Sequence, residues 1–156
     1  MRRHIYNARQ KLRSEEMDGQ TMLQHVMSML VENNYFQWHR SEPQSNVISE
    51  HLFAHPVSVK ILRAFPFVLQ MDCTYKTNRY GMPLLEVIGL TPTQLNFNVA
   101  CAYMSSEKEE NYFWVLERLK TLMDPYILPT TIITDQELAL ISTMERIFPT
   151  SKHLLC

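Results

Sequence analysis

Pro66-Phe67-Val68-Leu69-Gln70-Met71-Asp72-Cys73-Thr74 opens the stretch on which the fold turns. Its apolar part runs from Phe67 to Met71 and is closed by Asp72. A second apolar run, Met82 to Leu90, follows the turn Asn78-Arg79-Tyr80-Gly81. A third, Leu95 to Tyr103, follows Thr91-Pro92-Thr93-Gln94 and sets Phe97, Val99, Cys101 and Tyr103 against Asn96, Asn98, Ala100 and Ala102. Apolar runs of strand length joined by short Gly- and Pro-bearing turns predict a three-strand antiparallel meander.

Downstream of the meander the period lengthens. Ser106-x-x-Glu109 reads as a capping box, in which a side chain at each end satisfies a free helix amide. The helix behind it places Tyr112, Val115, Leu116, Leu119, Leu122 and Met123 on one face, and Pro125 and Pro129 end it. Thr131-Ile132-Ile133-Thr134 is a fourth short strand, stopped by Asp135. Gln136 to Phe148 reads as a helix with Leu138, Ile141, Met144 and Phe148 inward, and Ser151 to Leu155 begins a fifth strand. A helix between the meander and the fourth strand is the long crossover that a parallel pairing requires.

Upstream, Tyr35 to Trp38 and Asn46 to Phe53 read as a hairpin about a Ser41–Ser45 turn containing Pro43. Pro56 opens a helix bearing Val59, Ile61, Leu62 and Phe65, since proline suits a first helical position. Thr21 to Asn33 is amphipathic, with Leu23, Val26, Met27 and Leu30 on one stripe. Residues 1–13 carry Arg2, Arg3, Arg9, Lys11 and Arg13 without an acid. That pattern fits a short basic helix, either a solvated face or a phosphate-contacting arm. The expected organisation is a helical and hairpin leader over residues 1–65, then an α/β core over residues 66–156 that combines the antiparallel meander with parallel strands.

The 156 residues are 46% hydrophobic and 20% charged, which is a composition for a folded domain and not a disordered tail. With only Gly19, Gly81 and Gly89 the chain cannot build a glycine-rich nucleotide loop. A formal net charge of −1 gives no global nucleic-acid signature. Cys73, Cys101 and Cys156 are too widely spaced for a C-x-x-C pair and too few for an even disulfide framework. No apolar run approaches the ~20 residues of a membrane helix, so no membrane partner is expected. His51 and His55 lack the intervening Glu of a zinc-protease helix, and Pro56 disfavours helix at His55. Cys73 reads as a small core residue and not as a nucleophile.

Asp72 and Asp135 share one context, because each directly follows a buried-looking strand. Ligands and chemistry collect at the carboxyl ends of strands in open α/β sheets. If the first and fourth strands lie side by side, the two carboxylates start from backbones about 4.8 Å apart. That suits a two-ion phosphoryl-transfer site, whose divalent ions sit about 3.5–4 Å apart. Without a cation such a pair repels, and Mg²⁺ takes one or two carboxylates and fills its shell with water and substrate phosphate. The competing reading is that Asp135 and Thr134-x-x-Glu137 simply cap a helix, while Asp72 ends a strand.

Met71-Asp72-Cys73-Thr74-Tyr75-Lys76-Thr77-Asn78-Arg79-Tyr80, continuing to Met82-Pro83-Leu84, resembles the first-aspartate block of Mutator-like element (MULE) transposases. Ile132-Ile133-Thr134-Asp135-Gln136-Glu137-Leu138-Ala139 is similar to the family's second-aspartate block, and Phe148-Pro149 through His153-Leu154-Leu155-Cys156 to its third. Tyr6 to Leu12 and Leu52-Phe53-Ala54-His55-Pro56 look like segments found ahead of such cores.

The resemblance implies a ribonuclease H-like mixed sheet and a D-D-E triad that cuts and joins DNA with Mg²⁺ or Mn²⁺. Asp72 and Asp135 match its first and second acids, catalytic and metal-binding. Its third acid has no counterpart here, and Glu137 and Glu145 read better as a helix cap and an exposed helix position. The chain is therefore expected to end inside the fifth core strand and to be inactive alone. Lys76 and Arg79 are either phosphate contacts or turn-exposed charges. The implied partners are transposon ends and target DNA, in the nucleus, with the intact protein a possible homo-oligomer bearing an upstream zinc-binding DNA-binding domain. The alternative is a domesticated relative, like the far-red-impaired response transcription regulators, which bind DNA without cutting it.

Overall fold

The computed structural model describes residues 22–45, 47–75, 78 and 80–156. The basic segment over residues 1–13 lies outside the described residues. Two compact units divide the chain, one reaching Tyr35 and the other running from Phe36 to Cys156. In the first, α1 (Met22–Glu32) ends where the Asn33 side chain donates to the Met29 carbonyl at 2.8 Å and Asn34 turns to φ +56°. Asparagine tolerates that left-handed conformation better than most residues.

The second unit is a mixed α/β fold. Its elements are β1 (Phe36–Ser41), β2 (Ile48–Ala54), α2 (Pro56–Ala64), β3 (Val68–Thr74), β4 (Leu84–Leu90), β5 (Asn96–Met104), α3 (Glu109–Leu122), β6 (Thr131–Thr134), α4 (Leu138–Ile147) and β7 (Lys152–Leu155). The described strands form one seven-stranded sheet in the order β1-β2-β5-β4-β3-β6-β7. The expected meander is present, with β3–β4 and β4–β5 antiparallel. Beyond it, β6 joins β3 in parallel and β7 joins β6 in parallel. The β1–β2 hairpin continues the same sheet by antiparallel pairing on β5.

One face of the sheet carries the core. Leu52, Leu69, Met71, Leu85 and Ile132 from four strands cluster with Val59 and Leu62 of α2, Tyr112 and Leu116 of α3 and Leu140 and Met144 of α4. Burying such side chains contributes roughly 1.5–3 kcal/mol each. Gly89 pairs with Phe97, and a Cβ there would stand 2.3 Å from the Phe97 ring, so the ring needs a glycine opposite.

Three expectations about element ends are corrected. First, β3 does not stop at Asp72 but runs to Thr74, because its pairing with β4 continues to Thr74↔Leu84. Second, no capping box forms at α3. Lys108 is the cap residue without a side-chain cap bond, and the Ser106 hydroxyl instead donates to the Asn111 side-chain oxygen at 2.9 Å. Third, α4 begins two residues later than expected and buries Leu140, Thr143, Met144 and Ile147, while Leu138 is 78% exposed. Thr143 fits inside because its hydroxyl donates to the Ala139 carbonyl one turn back, at 2.6 Å. Glu137 caps this helix by accepting from the Ala139 amide, and Glu145 is exposed, both as expected.

Candidate active site

The geometry of the two aspartates follows from the β3–β6 register. Four parallel pairs run Val68↔Thr131, Leu69↔Ile132, Gln70↔Ile133 and Met71↔Thr134. Asp72 and Asp135 are the next residues on the two chains. The spacing between hydrogen-bonded strands, about 4.8 Å, separates the last pair, Met71 and Thr134, immediately before them.

Asp72 is an exposed residue of β3. Because strand side chains alternate, it faces away from the core that its neighbour Met71 enters. Directly opposite it across the β3–β4 ladder stands Glu86, half-buried. Like charges facing each other across strands are unfavourable. Among the described residues, no hydrogen bond or ion pair of the Asp72 carboxylate offsets this contact. Sequence reasoning passed over Glu86 because its partner is fixed only by the register; the signal was a charged residue inside the apolar run from Met82 to Leu90.

Asp135 is half-buried and lies one residue past the end of β6. Its Oδ1 accepts from the Glu137 amide at 3.4 Å, and its backbone carbonyl accepts from the Thr134 hydroxyl at 2.9 Å. Thr134 in turn contacts His153 Nε2 at 3.0 Å. The charge of Asp135 reaches Cys73, the residue after Asp72. Burial pushes the Cys73 thiol up to about 12, with Glu107 and Asp135 adding to the effect, while Tyr112 opposes it. A thiol so resistant to ionisation is a poor nucleophile, and its side chain packs against the core as expected. The buried Tyr112 hydroxyl is also raised, first by burial and then by Cys73.

The donor set fits a hard cation. Asp72 and Asp135 offer carboxylate oxygens, and Mg²⁺ needs only one or two of these, keeping water in its remaining positions. Among the described residues no group of three or more His, Cys, Asp or Glu converges into a closed cage. Lys76 and Arg79 lie outside the described residues. His51 is buried in β2 and contacts the Gln37 side chain at 3.1 Å, while the His55 side chain accepts from the Val57 amide as the cap of α2.

A second carboxylate also went unnoticed in the sequence. Glu50 of β2 is fully buried on the core side of the sheet. Its oxygens accept from Arg40 Nε at 2.5 Å, from Ser49 at 2.7 Å, from Ser105 at 3.4 Å and from the Asn111 amide. Burial alone would raise its pKa, but Arg40, Ser49 and Asn111 together hold it below the ordinary value. Four partners on β1, β2, the β5–α3 connection and α3 converge on one group, so this site is filled by the protein itself.

Residues 68–156 match the family described as MULE transposase domain, which is more than half the chain. The chain is 24% identical to Protein FAR1-RELATED SEQUENCE 5 of Arabidopsis thaliana, over 99% of its own length and 19% of that protein. It is 25% identical to Protein FAR-RED IMPAIRED RESPONSE 1 of Arabidopsis thaliana, over 89% of its length and 17% of the relative. A further match at 25% identity, with PKS-NRPS hybrid synthetase cheA of Chaetomium globosum, covers 99% of the chain and 3% of that protein. The chain thus spans less than a fifth of these relatives, and its similarity to all three reaches beyond the matched domain into the hairpin β1–β2. With its matched segment extending from β3 through β7, the chain belongs to the MULE transposase domain family.

Proposed function

We propose that this chain carries the first two acids of a ribonuclease H-like, metal-dependent site for cutting and joining DNA. The supporting observation is the parallel β3–β6 register, whose last pair, Met71↔Thr134, stands immediately before Asp72 within β3 and Asp135 just past β6. An antiparallel meander extended by two parallel strands is the sheet such a core needs. Asp72 and Asp135 would hold Mg²⁺ or Mn²⁺, which when bound activates the attacking oxygen and stabilises the leaving one. The exposed Asp72 would hold the cation that an incoming phosphodiester needs, and that cation would offset the like charge of Glu86 facing it. Lys76 and Arg79 serve the DNA backbone. No residue among these 156 matches the third acid of the triad, so the chain by itself does not cut.

A DNA substrate makes the nucleus the place of action. No helix of the described residues is long and apolar enough to cross a membrane. A second reading, a transposase-derived regulator that binds DNA without cutting, draws support from the relatives named for the far-red-impaired response.

The deciding experiment is Mg²⁺-dependent nicking of terminal-repeat DNA by the protein extended to include a downstream acid. Activity that disappears in Asp72→Ala and Asp135→Ala supports the first reading. Activity retained in either variant removes that residue from the site, and DNA binding without any nicking favours the regulator.

A further inference from the structure

The two acids are held in different ways. Asp72 lies inside a regular ladder, with pairs before and after it on β3. Asp135 lies one residue beyond the last pair of β6, so the sheet alone does not fix its backbone. We propose that His153, acting through the Thr134 hydroxyl, is a positioning residue for Asp135. The proposal rests on reading Asp72 and Asp135 as the metal-binding pair.

Proton count fixes the direction of the bonds around Thr134. The Thr134 hydroxyl has one hydrogen and two neighbours, the Asp135 carbonyl at 2.9 Å and His153 Nε2 at 3.0 Å. A carbonyl oxygen can only accept, so the Thr134 hydrogen is directed there. The Thr134 oxygen then accepts from His153, whose Nε2 carries a hydrogen. Thr134 is 1% exposed, which leaves water no access to replace this donor. On the other side, the Thr134 carbonyl accepts from the Cys156 amide at 2.8 Å.

The two bonds hold the two peptide groups that flank the Asp135 Cα. Fixing both peptide planes fixes φ and ψ at Asp135, and hence the direction in which its carboxylate leaves the backbone. Both bonds trace back to β7 and the residue directly after it, through His153 and Cys156. The edge strand therefore acts as a splint for an acid that its own strand does not hold. A ligand carboxylate held this way enters a coordination shell without first losing backbone freedom.

The test is Mn²⁺ binding by the 156-residue chain, followed by electron paramagnetic resonance, with thermal unfolding measured on each variant. Asp72→Asn and Asp135→Asn should abolish binding. His153→Ala and Thr134→Val should each weaken it about 10-fold, the scale of losing a supporting partner of a ligand. The double variant should be no worse than either single one, because both remove the same relay. His153→Gln, which keeps a donor near the Nε2 position, and Thr134→Ser should restore near-normal affinity. If the alanine variant fails to fold, His153→Phe keeps the ring outline without the donor and carries the same expectation.

Wild-type Mn²⁺ affinity in a folded His153→Ala or His153→Phe, with binding still lost in Asp135→Asn, would overturn the positioning role and leave the two-acid site standing. A lowered Tm with unchanged Mn²⁺ affinity overturns it equally, by making the contact purely structural. No saturable binding by the wild-type chain, or binding unaffected by Asp72→Asn and Asp135→Asn, overturns the reading beneath it.

Discussion

Glu50 and Asp72 are carboxylates on strands of one sheet, and the protein treats them in opposite ways. Glu50 points to the core side, has no exposed surface and is surrounded by Arg40, Ser49, Ser105 and Asn111. Asp72 points the other way, is exposed and faces another acid, Glu86, across the ladder. A buried charge is tolerable only when its oxygens are satisfied by the fold. An exposed charge left opposite a like charge is instead available to a cation from solvent. Glu50 is thus committed to structure, whereas the Asp72 carboxylate has no such set of partners among the described residues. The contrast separates two acids that each sit within a strand of the same sheet.

Removing Glu50 should produce the largest effect. Glu50→Ala removes the acceptor shared by Ser49, Ser105 and Asn111 and leaves Arg40 unpaired, although Ser49 can still donate to the Arg40 carbonyl and Asn111 to the Ser105 hydroxyl. The Arg40 side chain is 39% exposed and can turn to water, so its lost ion pair is discounted. The lost bonds of Ser49, Ser105 and Asn111 to the buried carboxylate dominate, and the expected loss is about 2–3 kcal/mol in urea unfolding. The β1–β2 hairpin should lose amide-exchange protection first, since Arg40 and Glu50 link β1 to α3 through Asn111. A loss as small as that of an exposed residue would show that the network is not a structural centre.

Acid should act on the same side of the comparison, in two windows. Burial, with a smaller effect from His39, lowers His51 from its ordinary 6.5 to about 4. The unfolded chain then binds a proton that the folded chain refuses as pH falls from about 6.5 to 4, so stability drops in that window, by about 3 kcal/mol at most. Glu50 has a lowered folded pKa. Its contribution is present above its ordinary 4.5 and is lost only as pH falls further, through the folded value. His51→Gln should flatten the upper window and leave the lower one. A stability profile unchanged by His51→Gln between pH 6.5 and 4 would remove His51 from the account.

How much of this was legible depended on whether a feature is local. The meander could be read because its turns, Asn78-Arg79-Tyr80-Gly81 and Thr91-Pro92-Thr93-Gln94, lie in the chain between its strands. The strand Thr131–Thr134 was readable to the residue, bounded by Pro129 and Asp135. The end of β3 was not, because it is set by its partner Leu84 and not by the apolar run that stops at Met71. The capping box failed for a related reason: Ser106 was drawn to Asn111, a member of the Glu50 network, instead of to a helix amide. Glu50 itself was invisible, since its acceptors' worth depends on Arg40 ten residues before it and on Asn111 sixty-one residues after it. For the candidate site, Asp72 and Asp135 stand out because each ends an apolar run. The register that aligns them, the facing Glu86 and the His153 contact behind Asp135 are products of tertiary pairing.

The smallest effect tests the other half of the comparison. If Asp72 and Glu86 repel across the ladder, Glu86→Gln should stabilise the metal-free chain, as should Asp72→Asn. The gain should be only about 0.3–0.5 kcal/mol, because Asp72 is exposed and water screens the pair. The double variant should gain no more than either single one, since one neutral partner already removes the repulsion. Added Mg²⁺ should then narrow the gap by stabilising the wild-type chain and leaving Asp72→Asn unchanged, because the cation supplies the charge that the substitution otherwise removes. Equal Mg²⁺ responses in wild type and Asp72→Asn would mean that this carboxylate is not held open for a cation. The exposed acid would then differ from Glu50 only in its burial.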